Sequence, residues 1–272
     1  MGHTLVLNGV SVPNPVAHLQ FADAKHLLAD YYAENTSIND NEKEAIETLV
    51  DRLWEAGVWT KIRSFYPMLG NTVNDLLLDA KNVAAENYIK QNLSDRGATV
   101  TVPTRNFLNV SGGNNTGATE LSRTDIRLYG LTHIVAYDFG NGSSVINSNN
   151  PSPQLSLKWS HPDNAYRWMR FELGTDGVPA SATDAGNQSS YILRNVMYNY
   201  DGTTVTIYKD GEVWKSGSLQ HDDYVCSRIR QVFYLIYNVS FFAQLDNLTT
   251  DELSAYSDAV ATFIATLNKK RP

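Results

Sequence analysis

The sequence has 272 residues, of which 42% are hydrophobic and 19% charged, with a formal net charge of −7. A chain of this size buries a substantial core. Its acidic balance, with no basic run longer than Lys269-Lys270-Arg271, argues against nucleic-acid binding, which needs a cationic face to neutralise phosphates.

Cys226 is the only cysteine, so neither an intrachain disulfide nor a cysteine-based zinc site is expected, which fits folding in a reducing compartment. Met1–Leu7 lacks the charged start and apolar run of a signal peptide. No stretch approaches the roughly 18 apolar residues of a membrane span. A soluble protein without membrane insertion is expected. The 15 Tyr and 5 Trp, set among many Asn, Ser, Thr and Gly, suit twisted sheets joined by polar loops.

In chain order, residues 1–15 read as an N-terminal arm, with a short hairpin at 4–12 around Asn8-Gly9, a type I′ turn signal closed by Pro13 and Pro15. Residues 16–70 read as a helical cap segment. A first helix over 16–33 sets Ala24, Leu27, Leu28 and Tyr31 on one face. A second begins at the capping box Asn39/Glu42, carries Ile46, Leu49, Val50, Leu53 and Trp54 as a stripe, and stops at Gly57. Val58–Ile62 predicts one more helical turn.

From 71 to 247 the texture changes to short apolar runs between Gly, Asn, Asp, Ser and Pro clusters. Such runs at Ile126–Tyr129, Thr132–Phe139, Leu155–Trp159, Tyr166–Leu173, Tyr191–Tyr200 and Val232–Val239 predict antiparallel strands. Asp201-Gly202 and Asp210-Gly211 mark turns, and Thr204, Thr206 and Tyr208 alternate with Val205 and Ile207, so one strand face is polar and the other buried. Residues 76–93 fit either an inserted helix or a strand with a helical excursion. Residues 248–272 form a closing helix, capped by Thr249 and Glu252, with Leu253, Tyr256, Val260, Phe263 and Leu267 on its apolar face. That face needs a partner, and the helices near 16–56 supply one.

Two stretches carry a resemblance. Ala45-Ile46-Glu47-Thr48-Leu49-Val50, Leu53-Trp54-Glu55-Ala56-Gly57-Val58-Trp59-Thr60-Lys61-Ile62 and Phe65-Tyr66-Pro67-Met68-Leu69-Gly70-Asn71-Thr72 together form the first. It resembles a segment of bacteriophage and prophage structural proteins, in which a helix runs through a Gly-hydrophobic-Trp turn into Tyr-Pro-x-x-Gly-Gly ahead of a laminin-G-like sandwich. Leu248-Thr249-Thr250-Asp251-Glu252, with its helix to Leu267-Asn268, resembles that family's closing helix. Asn71 departs from the second glycine, and residues 73–98 look like an insertion. The resemblance implies a mainly β fold, an antiparallel jelly-roll or concanavalin-A-like β-sandwich with helices at both ends. It also implies a virion component of tail-fibre, tail-tip or head-fibre type, assembled in the host cytoplasm with other virion subunits, with a homotrimer as one arrangement and host-surface polysaccharide as ligand.

Catalysis is not expected. A glycosidase of this fold needs two carboxylates roughly 5–9.5 Å apart, most simply on alternate residues of a strand, and Glu172, Glu120 and Asp125 have no such partners. The six histidines show no metal spacing. No cofactor is expected beyond calcium, for which His221-Asp222-Asp223 and His161-Pro162-Asp163-Asn164 are the oxygen-rich candidates. A sugar site needs a flat ring with converging amides and carboxylates. Trp159, His161, Asp163, Asn164 and Tyr166 cluster these types around one turn, and Trp214 is a second platform. Trp168, Trp54 and Trp59 are expected to pack in cores. A lectin-like virion protein leads; a purely architectural subunit, and then a polysaccharide-cleaving enzyme, are the alternatives.

Overall fold

The computed structural model describes residues 4–7, 10–13, 23–114, 119–120, 129–150, 155–163, 166–173, 178–180, 194–218 and 228–269. The elements in chain order are β1 (Thr4–Leu7), β2 (Val10–Pro13), α1 (Ala24–Leu27), α2 (Ala29–Glu34), α3 (Asp40–Glu55), β3 (Ile62–Tyr66), α4 (Val73–Leu76) and α5 (Tyr88–Asp95). Strands β4 (Ala98–Thr104), β5 (Phe107–Gly112), β6 (Thr119–Glu120), β7 (Gly130–Asn150), β8 (Leu155–Asp163), β9 (Tyr166–Leu173) and β10 (Val178–Ala180) follow. Then come β11 (Arg194–Tyr200), β12 (Thr204–Lys209), β13 (Glu212–Ser218), β14 (Arg228–Leu245) and α6 (Thr250–Thr266).

All the strand pairings are antiparallel, and the long strands β7 and β14 lie side by side from Leu131↔Leu245 to Asn150↔Arg228. Their ladder slips register at four points, and Phe233 and Asn238 take φ of 51° and 57°. Slips of this kind bend and twist a ribbon, so one strand pair serves two layers. The 130–136 half of β7 continues through β11 to β12 and β13. The 143–147 half continues through β8 to β9 and β10. On its free side β14 pairs with β3, β5 and β6. The result is an antiparallel β-sandwich with helices at both ends of the chain, and strands β10 and β13 of its two wings approach each other.

Alternation splits the side chains between two cores. Ile134, Ala136, Val196, Tyr198, Val205, Ile207 and Phe242 fill the inside of the sandwich together with Tyr88, Ile89 and Leu93 of α5. Leu131, Val135, Met197, Phe241, Ala243 and Leu245 point the other way, onto Ile46, Leu49 and Leu53 of α3 and Tyr256, Val260 and Phe263 of α6. The sheet is thus covered on both faces, and each such side chain contributes roughly 1.5–3 kcal/mol on burial. Both expected capping boxes are present: Asn39 N donates to Glu42 Oε2 at 2.9 Å, and Thr249 N to Glu252 Oε2 at 2.7 Å. Trp59 is buried and Trp54 packs on the same helical core.

Three local expectations are revised. Of the first helix, residues 16–22 lie outside the described residues, and the rest is two short helices because Leu28, at φ −103° and ψ 5°, leaves helical geometry; Ala24, Leu28 and Tyr31 still share a buried face. Val58–Ile62 gives a single 3₁₀ turn at Trp59–Lys61 and then enters β3, which pairs with β14 and is buried too evenly to show alternation. Residues 76–93, left open between helix and strand, hold no strand: α4 ends at Leu76 and the chain runs through turns to α5 at Tyr88.

The two stretches that carry the family resemblance meet in space. Pro67 ends β3, Met68 takes φ 52° and Gly70 takes φ 111°, where a Cβ would lie 2.6 Å from Ser37 Oγ. Asn71 needs no left-handed backbone, so its departure from glycine is tolerated. Lys269, two residues past Leu267, is only 2% exposed, and its Nζ donates to Pro67 O at 2.7 Å, Met68 O at 3.2 Å and Ser240 O at 2.7 Å. Burial pushes the ammonium's pKa well down, with the Glu42 carboxylate opposing. Three N–H groups facing three carbonyls match the charged form, since a neutral amine has only two to give.

Replacing that lysine strands three buried acceptors. Lys269→Met should cost roughly 3–5 kcal/mol in urea unfolding. Lys43→Met, which removes an exposed pair with Asp40, should change stability by less than about 0.5 kcal/mol.

Candidate functional site

The turn expected around residues 161–166 is the β8–β9 hairpin, with Trp159 opposite Met169, Ser160 opposite Trp168 and Asp163 opposite Tyr166. His161 lies in the backbone of β8 between them, and Asn164 falls outside the described residues. Met169 in turn pairs with Ala180 of β10, the strand that approaches β13. Of the six residues singled out for sugar binding, the structure describes the side chain of Trp214. The register shift at Ile207/Tyr208 makes Trp214 the extra residue of a bulge, between Val213 opposite Tyr208 and Lys215 opposite Ile207. Its ring is half-buried against the sandwich core, with Lys209 Nζ 5.8 Å from the ring centroid.

The same bulge shapes a cleft on the other face. Asp210 and Gly211, at φ 54° and 89°, form the two-residue turn between Lys209 and Glu212. Beside it, where the helical layer stops short of the sheet edge, opens a cleft of about 490 Å³. Its floor is Asn195 and Met197 of β11 with Tyr208 of β12; its rim is Asp210–Val213; its wall is the face of α6 bearing Ser254, Ser257 and Asp258. Val213 is 62% exposed, the one exposed large apolar side chain among the described residues. Burial pushes the Tyr208 phenol pKa up.

A buried polar chain sets the floor of this cleft. His133 of β7 is fully buried; its Nδ1 lies 2.8 Å from Tyr256 Oη, and its Nε2 lies 2.6 Å from Asn195 Oδ1. The Asn195 carbonyl oxygen only accepts, so Nε2 carries the hydrogen and Nδ1 accepts from the tyrosine hydroxyl. Asn195 is also clamped through its backbone, accepting from Asp210 N at 2.8 Å and donating to Asp210 Oδ1 at 3.4 Å. Sequence alone missed this constellation: its members come from three elements, and the polar face of α6 looks like an ordinary solvated one.

Among the described residues no three His, Cys, Asp or Glu side chains stand close enough to hold a metal ion. Of the calcium candidates, 221–223 and Asn164 lie outside the described residues.

No protein-family model and no curated protein matches the chain. Solved structures do. A mutant of HCR/D matches 75% of this chain over 53% of its own length, at 13% identity and a TM-score of 0.50. The receptor binding domain of botulinum neurotoxin D matches 73% over 53%, at 13% identity and a TM-score of 0.47. The CBM40 domain of a Ruminococcus gnavus IT-sialidase, bound to α2,3 sialyllactose, matches 47% over 81%, at 15% identity and a TM-score of 0.35. The chain spans about half the length of the first two, 53% in each case. The HCR/D likeness agrees with the sandwich fold, and at 13% identity it speaks to fold alone.

Burial lowers the His133 pKa to about 4, with the Asn195 hydrogen bond opposing. In the unfolded chain the ring titrates near 6.5, so between pH 6.5 and 4 the unfolded state binds a proton that the folded state refuses. Stability should therefore fall as pH drops through that window, by up to about 3 kcal/mol from this group. Urea unfolding at pH 7 and pH 4.5 should show a smaller difference in His133→Gln than in wild type.

Proposed function

We propose that this chain is a glycan-binding protein that works without turning its ligand over. Following the sequence resemblance, we further propose that it is a phage or prophage virion component, assembled in the host cytoplasm with other virion subunits, that recognises host-surface polysaccharide. The observation that carries the binding reading is the cleft beside the β12–β13 turn. There a partly exposed tyrosine ring and an exposed valine lie next to the hydroxyls of Ser254 and Ser257 and the carboxylates of Glu212 and Asp258. An aromatic face packs on the C–H side of a pyranose while such groups take its hydroxyls. In this proposal the hairpin residues Trp159, His161, Asp163, Asn164 and Tyr166 offer a second contact surface, with Trp214 on the side of β13 opposite the cleft. Its support is the register that leads from Trp159 through Met169 to Ala180 on β10, which approaches β13.

One observation favours the architectural alternative. Strands β1 and β2 form a two-stranded sheet of their own, separate from the twelve-stranded one. A terminal hairpin of that kind can add to a neighbouring subunit's sheet edge, and an isolated one is marginally stable in water.

An array of bacterial surface polysaccharides probed with wild type, Tyr208→Ala and Trp159→Ala separates the two. Wild type should bind at least one glycan and release no new reducing ends from it. Tyr208→Ala should bind at least about tenfold more weakly, the loss of a well-packed ring contact, while remaining folded. A blank array would leave the architectural role.

A further inference from the structure

Resting on the glycan reading of the cleft, we propose that this cleft selects uncharged sugars, with Asn195 as its amide donor and His133 as the residue that positions it. Three carboxylates, Asp210, Glu212 and Asp258, border the cleft, and among the described residues no lysine or arginine lines it. Hydroxyls of a neutral hexose donate to carboxylates; the carboxylate of an acidic sugar would meet only like charge there, on a chain whose formal net charge is already −7.

A sugar also presents acceptors: its ring oxygen, its hydroxyl lone pairs and, in an N-acetylhexosamine, an amide carbonyl. The cleft answers with the Asn195 amide. Its Oδ1 is taken from inside the core by His133 Nε2 at 2.6 Å, and that ring is itself fixed by Tyr256 Oη at 2.8 Å. With Oδ1 on the ring side, the two Nδ2 hydrogens remain to donate, and Asn195 lines the cleft. The backbone clamp to Asp210 holds the residue at the foot of the turn. His133 is buried and touches no ligand; it acts only through Asn195.

The test is NMR on the isotopically labelled full chain, titrated with galactose, N-acetylglucosamine and N-acetylneuraminic acid at millimolar concentration. At least one neutral sugar should shift the Asn195 side-chain amide together with the Tyr208 and Ser257 signals, and N-acetylneuraminic acid should not. Asn195→Asp still accepts from His133 but has no donor to offer, so it should bind at least tenfold more weakly while remaining folded. His133→Gln, whose amide can donate to Asn195 and accept from Tyr256, should keep binding within a few-fold. His133→Leu should lose it as Asn195→Asp does. Stronger binding of the acidic sugar, or undiminished binding by Asn195→Asp, would overturn the proposal. Shifts confined to the β8–β9 hairpin would also overturn it, while leaving the glycan reading intact. Silence from all three sugars would overturn it too, and the polysaccharide array judges the broader reading separately.

Discussion

The pairing of β7 with β14 is the constraint on which the rest of the molecule depends. The two strands are 21 and 18 residues long, and neither could stay straight without leaving one of the two layers unsupported. Register slips and two left-handed residues let the ribbon bend while it keeps its hydrogen bonds, so the wings on either side inherit their geometry from it. Because β7 and β14 alternate between the two cores, the same ladder positions the sandwich interior and the helical cap.

Covering both faces of a sheet requires something at its margins to close the chain on itself. Here the carbonyls left unpaired where β3 ends are taken by Lys269, beyond the last helix, while Glu42 of the α3 capping box also binds Arg105 of the β4–β5 turn at 2.5 Å. Glu252 plays the parallel part on α6, capping its own helix and pairing with Lys61 at 2.7 Å. Residues that cap the starts of helices thus also tie them to the turns beside the strands. The helical layer ends before the edge strands do, and the uncovered strip of outer face becomes the cleft proposed for glycan binding.

Much of this was legible in the sequence. The capping boxes at Asn39 and Thr249 mark the starts of α3 and α6 because the chemistry of a helix end is local. Val205 and Ile207 alternate cleanly with their polar neighbours because β12, between β11 and the edge strand β13, has one face on the core and the other partly exposed. Strand β3 was hidden because burial on both faces erases period two, and only Thr132–Phe139 of β7 was legible because Gly140-Asn141-Gly142 interrupts its apolar run. A one-residue bulge, which no local pattern announces, sets Trp214 half-buried on the sandwich side of β13 and brings Tyr208 and Val213 together on the outer face. His133 and Asn195 are 62 positions apart, and only the β7–β11 ladder brings them together.

If the shared ladder does unite the two cores, the sheet and its helices should open together. Peptide-resolved hydrogen exchange under native conditions measures this directly. The amides of 131–136, 239–245, 46–53 and 256–264 should exchange with one common free energy, equal to that of global unfolding. Helices α3 and α6 exchanging through a separate, lower-energy opening while the β7–β14 amides stay protected would contradict the account.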